Sequence, residues 1–134
     1  MRSLALAAVA ATLVAGCNES RTSPATSAAL PKLAVSFAWC QGTSPSFQVS
    51  GIPAGSKVLE LRMKDRQVPQ WNHGGGDVPV KGASMAIPCG TISGVYNGPN
   101  PPGREVHDYD WTVTARDANG APTAVGTASR KYPQ

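Results

Sequence analysis

Tyr109-Asp-Trp-Thr-Val-Thr-Ala-Arg116, YDWTVTAR, alternates without a break, with Tyr109, Trp111, Val113 and Ala115 on one side and Asp110, Thr112, Thr114 and Arg116 on the other. A period of two is the repeat of a β-strand, whose successive side chains point to opposite faces. The stretch reads as a strand with one dry face and one wet one. The same pattern recurs upstream. Leu33, Val35, Phe37 and Trp39 share a face, and Leu59, Leu61 and Met63 alternate with Glu60, Arg62 and Lys64. Thr123 to Ser129 closes the chain as a weaker strand. Gly and Pro clusters at Ile52-Pro-Ala-Gly55 and Asn97-Gly-Pro-Asn-Pro-Pro-Gly103 mark turns. Helical periodicity is almost absent and no internal repeat is visible, so an all-β, antiparallel β-sandwich with few or no short helices is expected.

The folded part does not begin at Met1. Arg2 supplies a positive charge, and Leu4 to Val14 is an apolar run too short to span a bilayer as a helix, which is how a secretory signal is built. The run ends in Leu13-Val-Ala-Gly-Cys17, which resembles a bacterial lipobox; the alternative is an ordinary signal with a chance cysteine. The resemblance implies a signal peptide over 1–16, a mature chain starting at Cys17, and a lipid anchor on that cysteine. Asn18 follows in place of the aspartate associated with inner-membrane retention. The expected address is therefore the periplasmic side of the bacterial cell envelope, at the outer membrane. Residues 17–31 are rich in Ser, Thr, Ala and Pro and read as a flexible tether. That leaves 32–134 as one small β domain.

Charge and cysteines narrow the classes further. The chain has 134 residues and a formal charge of +4, which falls to +3 once Arg2 is removed. That balance and the lack of a basic run argue against nucleic acid. Cys40 and Cys89 remain in an exported domain, where disulfides persist. Pairing them would close a loop of about 49 residues, worth roughly 4 kcal/mol in the chain-entropy model; the alternative is two unpaired buried thiols. Neither cysteine has a second ligand at metal spacing.

One motif suggests an enzyme. His73-Gly-Gly-Gly76 reads like the oxyanion-hole phrase of α/β-hydrolases, but that device needs a nucleophile beside it. No G-x-S-x-G is present, and Gly90-Thr-Ile-Ser-Gly94 puts its serine one place too late. The chain is also too short for that fold.

A larger order of segments points elsewhere. Cys40-Gln-Gly-Thr-Ser-Pro45, Gly51-Ile-Pro-Ala-Gly-Ser56, Asp65-Arg-Gln-Val-Pro69, His73-Gly-Gly-Gly-Asp-Val-Pro79 and Tyr96-Asn-Gly-Pro-Asn-Pro-Pro-Gly103 follow one another, then His107, Tyr109 and Ala115-Arg-Asp117. This succession, over most of 40–119, resembles the phosphatidylethanolamine-binding protein family, also called Raf kinase inhibitor-like proteins, in its bacterial branch. The resemblance implies a β-sandwich of that type, without enzymatic turnover and without a cofactor. It also implies a small surface pocket that accepts a phosphate-like anion or a phospholipid head group. The implied pocket residues are Asp65, His73, Gly98, Pro99, His107 and Tyr109, with His73 leading into a loop.

Those residue types suit the task. Imidazoles donate to an anion and become cationic near neutral pH, a carboxylate fixes a histidine tautomer, and a backbone N–H at the Gly98-Pro99 turn adds a donor. Three positions depart from the family pattern. Gln67 replaces an aspartate, Gly74 replaces a tryptophan, and Glu105-Val-His-Asp108 replaces a G-x-H-R block, so Asp108 reverses a charge beside the expected anion site. Arg66 and Arg104 are the nearby cations in sequence. Each site residue also has a plainer reading: His73 and His107 as exposed loop histidines, Asp65 as a turn cap, Pro99, Pro101 and Pro102 as turn formers with a cis bond. Trp39, Trp71 and Trp111 are expected in the core rather than as stacking platforms. The rival functions are a protein-docking lipoprotein with a decayed pocket, and a hydrolase or metal enzyme built on His73, His107 and Asp65.

Overall fold

The computed structural model describes residues 28–92 and 95–134; Cys17 and the proposed signal segment lie outside them. The described residues form seven strands and no helix: β1 (Ala34–Cys40), β2 (Thr43–Ser50), β3 (Val58–Asp65), β4 (Gly75–Pro79), β5 (Ser84–Ile87), β6 (His107–Arg116) and β7 (Pro122–Tyr132). They make two antiparallel sheets, β1-β2-β5 and β4-β3-β6-β7. This is the all-β sandwich that the alternation predicts.

The core lies between the sheets and is built from the inward rows. Phe37, Phe47, Val49 and Ile87 come from the smaller sheet; Leu59, Leu61, Met63, Tyr109, Trp111, Val113 and Ala115 come from the larger. In β6 every second residue is buried across the whole strand, as YDWTVTAR requires. Phe47 meets Trp111 edge to face, ring centroids 5.0 Å apart, a geometry that aligns the positive ring edge with the negative face. The segment before β1 is tied to β7: Lys32 bridges to Val125, and the Pro31 carbonyl accepts the Val125 N–H at 3.0 Å.

Cys40 and Cys89 are paired, their Cα atoms 6.0 Å apart. The bridge ties the end of β1 to the segment after β5, the two outer strands of the small sheet. Two expectations change. His73-Gly-Gly-Gly leads into strand β4, not into a loop, and Trp71 is 62% exposed, not part of the core. The three prolines around 99–102 are trans; among the described residues the cis peptide is Tyr132-Pro133.

Candidate functional site

The register between β3 and β6 builds the site. Asp65 pairs with Tyr109, so the buried row Leu59, Leu61, Met63 ends on a carboxylate, and the buried row of β6 starts with His107 and Tyr109 before reaching Trp111. Alternation is kept to the last residue of each strand. Polar side chains are thereby carried onto the inward face at one end of the core, and a slip of one residue would turn all of them out.

Asp65 is saturated with donors. Its Oδ1 accepts the N–H groups of Gln67 at 2.8 Å and Val68 at 3.1 Å, and its Oδ2 accepts Nδ1–H of His107 at 2.7 Å. Asp65 thus caps the turn, as its plainer reading has it, and binds His107 with its other oxygen. Burial works to raise its pKa, but the hydrogen bonds from His107, Gln67 and Val68 prevail and hold the carboxyl below its ordinary 3.8.

His107 is gripped from both sides, its Nε2 lying 2.9 Å from Oε2 of Glu105. Carboxylates can only accept, and only a protonated imidazole has two N–H donors, so this geometry is that of an imidazolium. The hydrogen bond to Asp65, then that to Glu105, raises the His107 pKa above 6.5 against the cost of desolvation.

His73 is placed differently. Its ring Nδ1 lies 2.8 Å from the Asn97 carbonyl and must donate to it, while the His73 carbonyl accepts the Asn97 N–H at 2.8 Å. This reciprocal pair locks the histidine to the turn carrying Gly98. Its Nε2 has no hydrogen-bond partner among the described residues. The glycines that follow have packing reasons. A Cβ on Gly74, at φ +70°, would strike the Val95 carbonyl, and one on Gly75 would strike that of Leu61. They let β4 lie close against its neighbours. Both histidines are buried, 4% and 3% exposed, so the exposed-loop reading of each fails.

Between the two imidazoles stands Tyr109, fully buried, in edge contact with His73 at 5.3 Å and stacked on His107 at 6.3 Å. Among the described residues its hydroxyl meets no partner in hydrogen-bond geometry, although Asp65 and the Asn100 backbone lie close enough to bear on its titration. Burial, then the nearby Asp65 charge, pushes its pKa up to about 12.

These side chains line one cavity of about 520 Å³, which takes in Asp65, His73, Gly98, His107 and Tyr109 of the six expected residues. Pro99 does not join them: it lines a neighbouring cleft of about 310 Å³ with Trp39, Tyr96 and Tyr132. Trp71, expected in the core, also lines the cavity, as do Val68, Asn97, Asn100 and Pro102, none of which the sequence placed in a pocket.

The charges flanking the site also differ from expectation. Asp108 alternates outward, pairing with Lys131 at 3.1 Å and with Gln67, so it does not enter the cavity. Arg66 is drawn away to Asp110 at 2.7 Å. Glu105, which stands where the family pattern has glycine, is not in the cavity wall but reaches the wall residue His107 through its Nε2. Among the described residues no cluster of three or more His, Cys, Asp or Glu is arranged to hold a metal. No family model matches the chain, and neither a curated protein nor a solved structure matches it.

Proposed function

We propose that the chain is a non-enzymatic binding module of the phosphatidylethanolamine-binding, Raf kinase inhibitor-like type. On this reading it is held by a lipid on Cys17 at the periplasmic side of the outer membrane, and its cavity takes a small phosphate-like anion or a phospholipid head group. The observation that carries the reading is the convergence of Asp65, His73, Gly98, His107 and Tyr109, separated by up to 44 positions in sequence, on one cavity. Among the described residues, His73 Nε2 and the Tyr109 hydroxyl are polar groups in its wall without hydrogen-bond partners. A buried hydroxyl left unpaired costs free energy that a bound oxygen would return.

The chemistry of the wall favours binding over turnover. Among the described residues no serine, threonine or cysteine lines the cavity, and His107 has both nitrogens committed to carboxylates, so it has no lone pair with which to act as a base. The net acidity of Asp65 and Glu105 around one imidazolium predicts weak anion affinity, with Kd about 1 mM.

Titration of the histidine ring resonances with inorganic phosphate and with phosphoethanolamine tests the proposal. Shifts of the His73 ring that saturate in the millimolar range are expected. If neither ring moves at tens of millimolar, the protein-docking lipoprotein with a decayed pocket takes its place. The anchor is tested separately by mass spectrometry of membrane-extracted protein, where a diacylglyceryl mass on an N-terminal Cys17 is expected and any other mature terminus rejects it.

A further inference from the structure

Resting on the anion-pocket reading, we propose that Glu105 is an internal competitor of the ligand: its carboxylate occupies Nε2 of His107, the position an incoming anion would take, and so sets the affinity of the pocket. The Glu105 side chain is 64% exposed, whereas His107 is only 4% exposed, and the two meet at 2.9 Å. An exposed side chain thus reaches inward to cap a buried donor. His107 spends its other nitrogen on Asp65, its ring face rests on Tyr109, and the Asp108 carboxylate points away to Lys131. Nε2–H is therefore the one donor His107 can offer to a ligand, and Glu105 already holds it.

Exchange of that partner is chemically simple. Released Glu105 is solvated by water at the surface, while Nε2–H passes from one anionic acceptor to another. An anion entering the cavity must either displace Glu105 or bind on His73 and Tyr109 alone, next to an uncompensated carboxylate. Either route weakens simple anions.

The test is phosphate titration of the exported chain at pH 6, followed by calorimetry and by the ¹⁵N resonances of the histidine rings, with Glu105→Ala and Glu105→Asp beside the unaltered protein. Glu105→Ala should bind phosphate about fivefold tighter, the scale on which exposed ion pairs act. Glu105→Asp keeps the charge but is one methylene shorter, so it should follow Glu105→Ala. In the unaltered protein the His107 Nε2 resonance should shift as phosphate replaces the carboxylate. Equal or weaker binding by Glu105→Ala, with both proteins binding, overturns the competitor role and leaves the pocket reading standing. An aspartate variant that behaves like the unaltered protein shows charge repulsion without occupancy, and overturns it too. Binding by none of the three at tens of millimolar phosphate removes the pocket reading itself, and the competitor with it.

Discussion

Nδ1 of His107 lies 2.7 Å from Oδ2 of Asp65, and each side chain is 4% exposed. The pair joins the last inward position of β3 to the first of β6, so it closes the end of the core and shapes the cavity at once. Its protonation state is consequently a matter of both stability and binding.

Asp65 is held below 3.8, so its contribution is present above that value and fades as pH falls through its folded pKa. His107 is held above 6.5, so its contribution is complete below 6.5 and is lost as pH rises through its folded pKa. The pair is fully stabilising between these limits. Denaturant unfolding across pH should therefore show greatest stability between about pH 4 and 6.5. His107→Gln should flatten the alkaline flank, and a flank of unchanged slope in that variant would contradict the assignment.

Tyr109 separates folding from binding. Its hydroxyl is buried without a partner, so Tyr109→Phe removes a group whose desolvation costs roughly 1–3 kcal/mol and leaves the ring contacts in place. Stability should rise by about 1 kcal/mol in chemical denaturation while phosphate binding weakens. A loss of stability would mean that the hydroxyl is satisfied in solution, and unchanged binding would take it out of the ligand's reach.

Much of this architecture was legible because burial and period two coincide in β1, β3 and β6. Asp65, His107 and Tyr109 were singled out by the resemblance of their segments, and the strand register is what brings them to one cavity. The elements that escaped are those whose residues hide the period. In β2 the buried positions Ser44, Pro45, Phe47 and Val49 include a hydroxyl and a proline, and the strand passes a register irregularity opposite Ala38–Cys40, where a proline can be housed. β4 begins with two glycines, which carry no hydropathy signal and need a close backbone approach to explain them. Trp71 was expected in the core because size and apolarity alone put it there. The turn after Asp65 instead lifts it to the cavity rim. Glu105 could be marked as unusual in sequence, but only the geometry shows which nitrogen it reaches.

Gly75 should tolerate no side chain. Its φ of +151° and the approach of the Leu61 carbonyl leave no room for a Cβ, so Gly75→Ala must part β4 from β3. A cost of more than about 1 kcal/mol is expected, together with displacement of the His73 ring two residues away. An alanine variant with unchanged stability and unchanged His73 resonances would refute both.

The Cys40–Cys89 bond closes a separation of 49 residues across the small sheet. Thiol titration of the denatured, unreduced protein should find neither Cys40 nor Cys89 free. Replacing both by alanine should lower stability by roughly 4 kcal/mol, because the unfolded chain regains the entropy of the open loop. Two titratable thiols, or an alanine pair as stable as the parent, would show that the fold stands without the bridge.

The tryptophans offer the sharpest contrast between frame and site. Trp111 is fully buried, meeting Phe47 at 5.0 Å and Tyr96 at 5.7 Å, whereas Trp71 is 62% exposed on the wall of the cavity. Removing a buried indole forfeits its contacts and leaves a void, so Trp111→Ala should cost about 3–5 kcal/mol. Trp71→Ala touches no core contact and should stay within about 0.5 kcal/mol of the parent. If the cavity takes a ligand, Trp71 is the indole whose environment changes. Its fluorescence should then respond to phosphate in the parent and be silent in Trp71→Ala, while Trp39 and Trp111 contribute a constant background. A phosphate response that survives in Trp71→Ala would place the bound anion away from this wall. A large stability loss in the same variant would put Trp71 back into the core where its composition first suggested it belonged.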